Sequence, residues 1–249
     1  MLLAIDIGNS AIKFGVFDGE RLLLKFSTPT DRGCTASDLE QATAASLKPP
    51  FESAIACSVV PKVDNAMREF ISERLGVAPR FLDNTFDFGL TIKYETVSTL
   101  GTDRLVNAFA AVSKYKTPVV VCSLGTATTI DFVNETGEYL GGAIAPGLPA
   151  MTEALHLKTA NLPVIEVTKP ESVIGTSTIA SIRSGLFYGY ASMVDGMIRR
   201  MAAAAGSPPA AKAVATGGYA ELIASECPSI DIIDTNLLLD GLRLAHERT

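Results

Sequence analysis

The chain has 249 residues, 47% hydrophobic and 19% charged, enough for one large or two medium domains and too apolar for disorder. Its formal net charge of −6, from 21 basic and 27 acidic residues, argues against a nucleic-acid-binding surface as its main business. Four cysteines lie far apart with no Cys-x-x-Cys pair, which speaks against a zinc or disulfide framework and fits idle thiols in a reducing compartment.

The first segment, Met1 to Ile5, is apolar, but Asp6 interrupts it and no basic region precedes it, so no secretory signal is expected. No apolar run reaches bilayer length. The expectation is a soluble, cytoplasmic protein without a membrane partner. Residues 2–24 read as an apolar strand, a tight glycine turn, a second strand, a turn at Asp18-Gly19 and a third strand. Ala54 to Val60 is a buried strand ending at Pro61. Val63 to Leu75 has the spacing of an amphipathic helix, and Arg104 to Lys114 that of another.

Residues 119–142 then repeat the opening pattern: Val119-Val120-Val121, a turn at Gly125-Thr126, a strand through Ile130-Asp131-Phe132-Val133, a turn near Gly137, and Tyr139-Leu140. Laid together, Gly8 falls on Gly125, Asn9 on Thr126 and Asp6 on Ser123. Ile179 to Ala204 has helical periodicity interrupted by glycines, and Ala213 to Thr216 is a short strand running into Gly217-Gly218. Two βββαβα halves, 1–115 and 116–249, around a central cleft describe an α/β fold of the duplicated ribonuclease H-like (actin-like ATPase) kind. The alternative is a chance likeness between two glycine hairpins.

Neither Gly-x-x-x-x-Gly-Lys-Ser/Thr nor Gly-x-Gly-x-x-Gly is present, so any phosphate chemistry must use the hairpins. Glycine permits close backbone approach, and successive N–H groups form an anion site. In the first hairpin Asn9 and Ser10 add donors and Lys13 adds a charge. Asp6, at the strand end, suits a hydrated Mg²⁺. The competing reading is an ordinary hairpin with a capped turn. Gly125-Thr126-Ala127-Thr128-Thr129 reads either as a second phosphate loop or as a Thr-rich strand. Gly141-Gly142 and Gly217-Gly218 offer bare backbone on which an adenine or ribose can lie.

The other polar concentration is Tyr94 with Leu100-Gly101-Thr102-Asp103-Arg104 at a helix start. Asp there is often only a cap and Arg only a surface charge. In a cleft, however, the carboxylate can take the proton of an attacking hydroxyl and the Arg can grip a carboxylate or phosphate. His156, between leucines, reads as a partly buried residue or as a catalyst. Thr176-Ser177-Thr178 reads as a helix cap.

In order and spacing these residues resemble the type III pantothenate kinases, enzymes of coenzyme A biosynthesis in the acetate kinase/Hsp70/actin superfamily. The likeness covers nearly the whole chain: Asp6-Ile7-Gly8-Asn9-Ser10 with Lys13, Ser58-Val59-Val60-Pro61, Gly101-Thr102-Asp103-Arg104, Gly125-Thr126-Ala127-Thr128-Thr129, Gly141-Gly142 with Pro146-Gly147, Thr178, Ser184-Gly185 with Gly189, Thr216-Gly217-Gly218, and Leu239-Asp240-Gly241-Leu242. It implies ATP- and Mg²⁺-dependent phosphorylation of pantothenate on its primary hydroxyl, with Asp103 as general base. It implies ATP contacts at Asp6, Gly8, Asn9, Ser10, Lys13, Gly125 and Thr126, with Asp6 reaching Mg²⁺ through water. Tyr94, Gly101, Thr102 and Arg104 are implied to contact pantothenate. A homodimer is implied, with Thr178 and His156 reaching in from the partner.

Two positions depart from the family pattern. Ser123-Leu124-Gly125 stands where the family has Asp-Phe-Gly, whose aspartate is associated with a monovalent cation, K⁺ or ammonium. Serine supplies one neutral oxygen and no charge. Ser177 stands where Asn is usual. Three functions therefore compete: a working pantothenate kinase, an impaired relative acting as a binding or transcriptional accessory protein, and a kinase for another small hydroxy acid. Asp6, Lys13, Asp103 and Arg104 favour an enzyme, and Ser123 favours the impaired relative.

Overall fold

The computed structural model describes residues 1–48, 50–204 and 211–248. The chain opens with a meander of β1 (Leu2–Ile7), β2 (Ala11–Asp18) and β3 (Arg21–Pro29). It continues through α1 (Ala36–Thr43), β4 (Ser53–Ser58), α2 (Pro61–Glu69), a π-helical turn at Phe70–Arg74 and β5 (Pro79–Leu82). Next come β6 (Thr91–Ile92), α3 (Thr102–Tyr115) and a second meander of β7 (Val119–Leu124), β8 (Ala127–Val133) and β9 (Glu138–Pro146). The last elements are α4 (Leu148–Lys158), α5 (Thr178–Ala204), β10 (Lys212–Thr216), α6 (Ala220–Ala224), β11 (Ile232–Ile233) and α7 (Leu237–Glu247).

These elements form two compact units. The first contains Met1–Gly89, Thr96–Ala110 and Leu237–Thr249, and the second contains Leu90–Glu95 and Ala111–Asn236. The sheet of the first unit has the order β3-β2-β1-β4-β5; that of the second is β11-β10-β7-β8-β9-β6. Read from the other edge, the second repeats the first strand for strand, with β6 added beyond β9. Within each unit the meander is antiparallel, and the two later strands run parallel to the first. The fold is thus the expected duplicated ribonuclease H-like α/β architecture, which the solved structures described below share.

Burial explains the strand placement. All six residues of β1 are buried, as a central strand covered on both faces requires, whereas β3 alternates between exposed and half-buried positions as an edge strand. Helix α1 is fixed by a capping box between Thr35 and Asp38, and α2 starts on Pro61. One apolar cluster, including Leu3, Ile5, Phe14, Val63 and Met67, forms a core of the first unit; another, including Val120, Cys122, Phe187, Tyr190 and Val194, forms a core of the second.

The duplication extends to single residues. Both meanders carry a bulge at the same place: between Val16 and Phe17 in one, and between Phe132 and Val133 in the other. Phe17 pairs with Leu2 and Val133 with Val119, four residues before Asp6 and Ser123 respectively. The residues left out of register opposite the bulges, Leu23 and Leu140, are both exposed. Asp6 and Ser123, and Gly8 and Gly125, coincide as expected. The hairpin tips differ. Gly8 N–H reaches Ala11 O, whereas Gly125 N–H reaches Ala127 O, each at 3.1 Å. The second tip is one residue shorter; Ser10 O accepts from Thr30 N–H as Thr126 O does from Gly147 N–H, so Thr126 answers to Ser10 and Asn9 is the additional residue.

The final helix returns to the first unit, where α7 packs on β1, β2 and β4. Among the described residues no helix is long and apolar enough to cross a membrane.

Candidate functional site

In the first unit the register of β1 decides the surroundings of Asp6. Its antiparallel neighbour is Lys13 on β2 and its parallel neighbour is Cys57 on β4. Asp6 is buried, 3% exposed, and its Oδ2 accepts from Lys13 Nζ at 2.9 Å. The Cys57 thiol faces Oδ1 at 3.9 Å. Burial pulls the lysine pKa down, but the charge and hydrogen bond of Asp6 outweigh it, with help from Cys57 and Asp103, and leave Lys13 above its ordinary value. Burial, with the charges of Asp6 and Asp103, drives the Cys57 thiol well up, so it is a neutral donor to the carboxylate. Asp103, at the α3 start, adds to the negative field felt by both groups. Next to the Asp6 cluster lies the exposed tip Asn9-Ser10, with Asn9 Oδ1 accepting from Arg32 Nη2 at 3.2 Å. Thr30 Oγ1 donates to Gly8 O at 2.7 Å and ties β3 to the tip.

At the start of α3, Asp103 Oδ1 accepts from Arg104 N–H at 2.9 Å. A Cβ at Gly101 would lie 2.5 Å from that oxygen, so a side chain there would push the carboxylate off its bond to the helix start. An anion at a helix N-terminus is favoured by the helix dipole. Thr102 and Arg104 are buried, at 8% and 5% exposure, and Arg104 is engaged.

The corresponding place in the second unit is uncharged. Ser123 has Thr129 and Thr216 as its strand neighbours, where Asp6 has Lys13 and Cys57. Gly125 is half-buried, and Thr126 is exposed at the tip. Thr128 turns inward, 2.6 Å from the hydroxyl of Tyr190, whose pKa burial pushes up to about 12. A Cβ at Gly141 would touch the Tyr94 ring at 3.3 Å, and one at Gly142 would meet Asp131 Oδ1 at 2.5 Å. The bare backbone of this glycine pair is thus closely approached by the chain's own Tyr94 and Asp131. Asp131 is buried and accepts from Tyr139 at 2.6 Å.

The sequence brings Thr178 to the first residue of α5. It lines a largely apolar groove of about 1320 Å³, which also involves Ala150, Met151, Leu155, Ile182 and Leu186. His156 is not among the lining residues; it is exposed on α4, with Nδ1 2.8 Å from Leu162 O. Sequence reasoning missed Cys57, which only the parallel pairing of β1 and β4 places beside Asp6. It also passed over Asn107, 4% exposed, whose Oδ1 finds no hydrogen-bond partner among the described residues. Its helical spacing from Asp103 was the available signal.

One carboxylate beside a glycine hairpin can hold a hydrated Mg²⁺, which keeps most of its waters. Lysine and hairpin N–H groups can meet phosphate oxygens, and a second carboxylate nearby can accept a proton. Among solved structures the chain resembles a chain described as a Baf family transcriptional activator from Campylobacter jejuni (TM-score 0.63, 20% identity, 99% and 98% of the two chains covered). It also resembles the activator of the 2-hydroxyisocaproyl-CoA dehydratase from Clostridium difficile with bound ADPNP (TM-score 0.54, 14% identity, 99% and 96% covered). These likenesses show the fold. Relatives named type III pantothenate kinase are 42% identical in Brevibacillus brevis and 40% in Halalkalibacterium halodurans, each alignment covering 100% of this chain and 99% of the relative. The family model described as type III pantothenate kinase matches residues 2–200, and the chain belongs to the type III pantothenate kinase family.

Proposed function

We propose that this chain transfers the γ-phosphoryl group of ATP to the primary hydroxyl of pantothenate, with Asp103 as the general base. Membership of the family makes it an ATP-dependent kinase of coenzyme A biosynthesis; the assignment of roles to residues is our reading. The observation that carries it is the cluster in the first unit, where Lys13 is bonded to Asp6 at 2.9 Å and lies in the field of Asp103. A phosphate-binding cation, a metal-binding carboxylate and a proton acceptor then share one neighbourhood. Phosphoryl transfer asks for little more than such positioning and charge.

Gly8, Asn9, Ser10 and Lys13 are assigned to ATP, as are Gly125 and Thr126 of the second unit. Asp6 holds Mg²⁺ through water, and the ion supplies charge neutralisation on the phosphates. Tyr94, Gly101, Thr102 and Arg104 are assigned to pantothenate. We place the protein in the cytoplasm as a homodimer. The apolar groove, with Val173, Ile174 and Ile179 exposed near the start of α5, supports that assembly by offering apolar surface that water solvates poorly. Thr178 in that groove suits a role across the interface; His156, turned to Leu162 O, must leave that bond to join it.

The test is turnover of pantothenate with ATP and Mg²⁺, read as phosphopantothenate by mass, for wild type and Asp103→Asn. Wild type turns over, and the variant falls by about 10²–10⁴-fold, the usual contribution of a positioned base, with its fold intact by circular dichroism. Absence of wild-type turnover across a K⁺ and ammonium titration sinks the enzyme reading; an Asp103→Asn variant near wild-type activity sinks the assignment of the base.

A further inference from the structure

Asn107 is buried on α3 at 4% exposure, and its side-chain oxygen Oδ1 has no hydrogen-bond partner among the described residues. A buried amide oxygen left unpaired is destabilising, so native chains rarely keep one without use. Its position suggests the use. Successive helical residues turn by about 100°, which puts Asn107 about 40° round from Asp103 and about 60° short of Arg104, between the two. Side chains on a helix lean toward its N-terminus, so Asn107 leans over the turn that carries Asp103. Val106, one residue earlier, approaches Gly241 of α7, and Asn107 is turned about 100° away from it.

We propose that Asn107 is a substrate-binding residue of the pantothenate site, whose Oδ1 accepts a hydrogen bond from the secondary hydroxyl of the substrate. The proposal rests on Asp103 being the base. Asp103 and Asn107 then present two acceptors one helical turn apart, with side chains about 5–6 Å from each other at Cβ. Two acceptors at that spacing call for two donors on one small molecule. Pantothenate carries a 1,3-diol: the primary hydroxyl loses its proton to Asp103, and the secondary hydroxyl keeps its proton and donates it to Asn107. The second contact holds the diol so that the primary oxygen alone points at the phosphoryl group. A site of this kind rejects an analogue that lacks the donor, because the buried acceptor is again left unpaired.

The test is calorimetric binding of pantothenate and of its analogue with hydrogen in place of the secondary hydroxyl, to wild type, Asn107→Leu and Asn107→Ala. Wild type prefers pantothenate by about 10- to 100-fold. In either variant the preference collapses to within about threefold, mainly through weaker pantothenate binding. Equal binding of both compounds by wild type overturns the proposal without involving any variant and leaves the kinase reading intact. A wild-type preference kept in a folded variant also overturns it, as a packing role or a buried water on Asn107 would give that result. Binding of neither compound by wild type defeats both the kinase reading and this assignment.

Discussion

Asp6 and Ser123 hold the same place in two copies of one hairpin, at the end of a central strand, and their surroundings follow their charge. Asp6 is answered by Lys13 and by a thiol whose pKa burial and neighbouring carboxylates push well up; Ser123 lies between two threonines. The first place thus carries the charges that suit a cation and a phosphate, while the second offers only neutral oxygens, weak ligands for any cation. Ser123→Asp restores a charge with no lysine to neutralise it, so its natural partner is a free cation. We expect the variant to gain a K⁺ or ammonium response of roughly tenfold in rate, equivalent to about 1.4 kcal/mol, whereas wild type responds little. Initial rates in K⁺, ammonium and Na⁺ at constant ionic strength check this; matching profiles for the two proteins mean that another group has taken over the cation's part.

At the scale of the element, the shorter second hairpin is held by a close backbone crossing. Gly147 N–H donates to Thr126 O at 3.0 Å, and a Cβ at Gly147 would lie 1.9 Å from Gly125 O. Both atoms belong to backbone fixed by the sheet, so Gly147→Ala must displace the tip or the start of α4. It should cost about 2–4 kcal/mol, in the range of severe steric substitutions, and raise the KM for ATP. Gly125→Ala, whose Cβ finds its nearest atom at 3.6 Å and whose backbone is not left-handed, should change stability by less than about 1 kcal/mol. Thermal unfolding with ATP titration separates the two. The meanders were legible from their turn glycines, β4 as an apolar run ending near Pro61, and α2 and α5 from helical spacing that survives the glycines of α5. The one-residue difference between the tips was not, since only the bonds accepted by Ser10 O from Thr30 N–H and by Thr126 O from Gly147 N–H reveal which residue is extra. Asp103 was legible as a helix-start acid, but Cys57 was not, because strand pairing across 51 residues leaves no trace in local pattern.

At the scale of the whole molecule, the duplicated sequence reads as two consecutive halves, yet α7 at the end of the chain packs on β1, β2 and β4 near its beginning. No local signal carries that return: Leu237 to Glu247 has the amphipathic pattern of a helix that could cover either sheet. Its register settles the matter through Gly241, where a Cβ would meet Val106 O at 2.7 Å; the helix needs glycine there to approach α3. Leu237, Leu239 and Leu242 are buried, and fully burying a leucine contributes about 1.5–3 kcal/mol. Three of them amount to roughly 5–9 kcal/mol, comparable with the whole stability of a typical domain. Truncation after Asn236 should therefore unfold the first unit, including the Asp6–Lys13 pair and the Asp103 helix start, while the second unit keeps its own core around Tyr190 and Val194. Hydrogen exchange read by mass spectrometry checks this directly: protection should vanish from peptides of β1, β2 and β4 and persist in β7, β8 and the middle of α5. Protection lost equally from both sheets would mean that the two cores fold as one cooperative unit, and protection kept in β1 would mean that α7 contributes far less than its buried leucines imply.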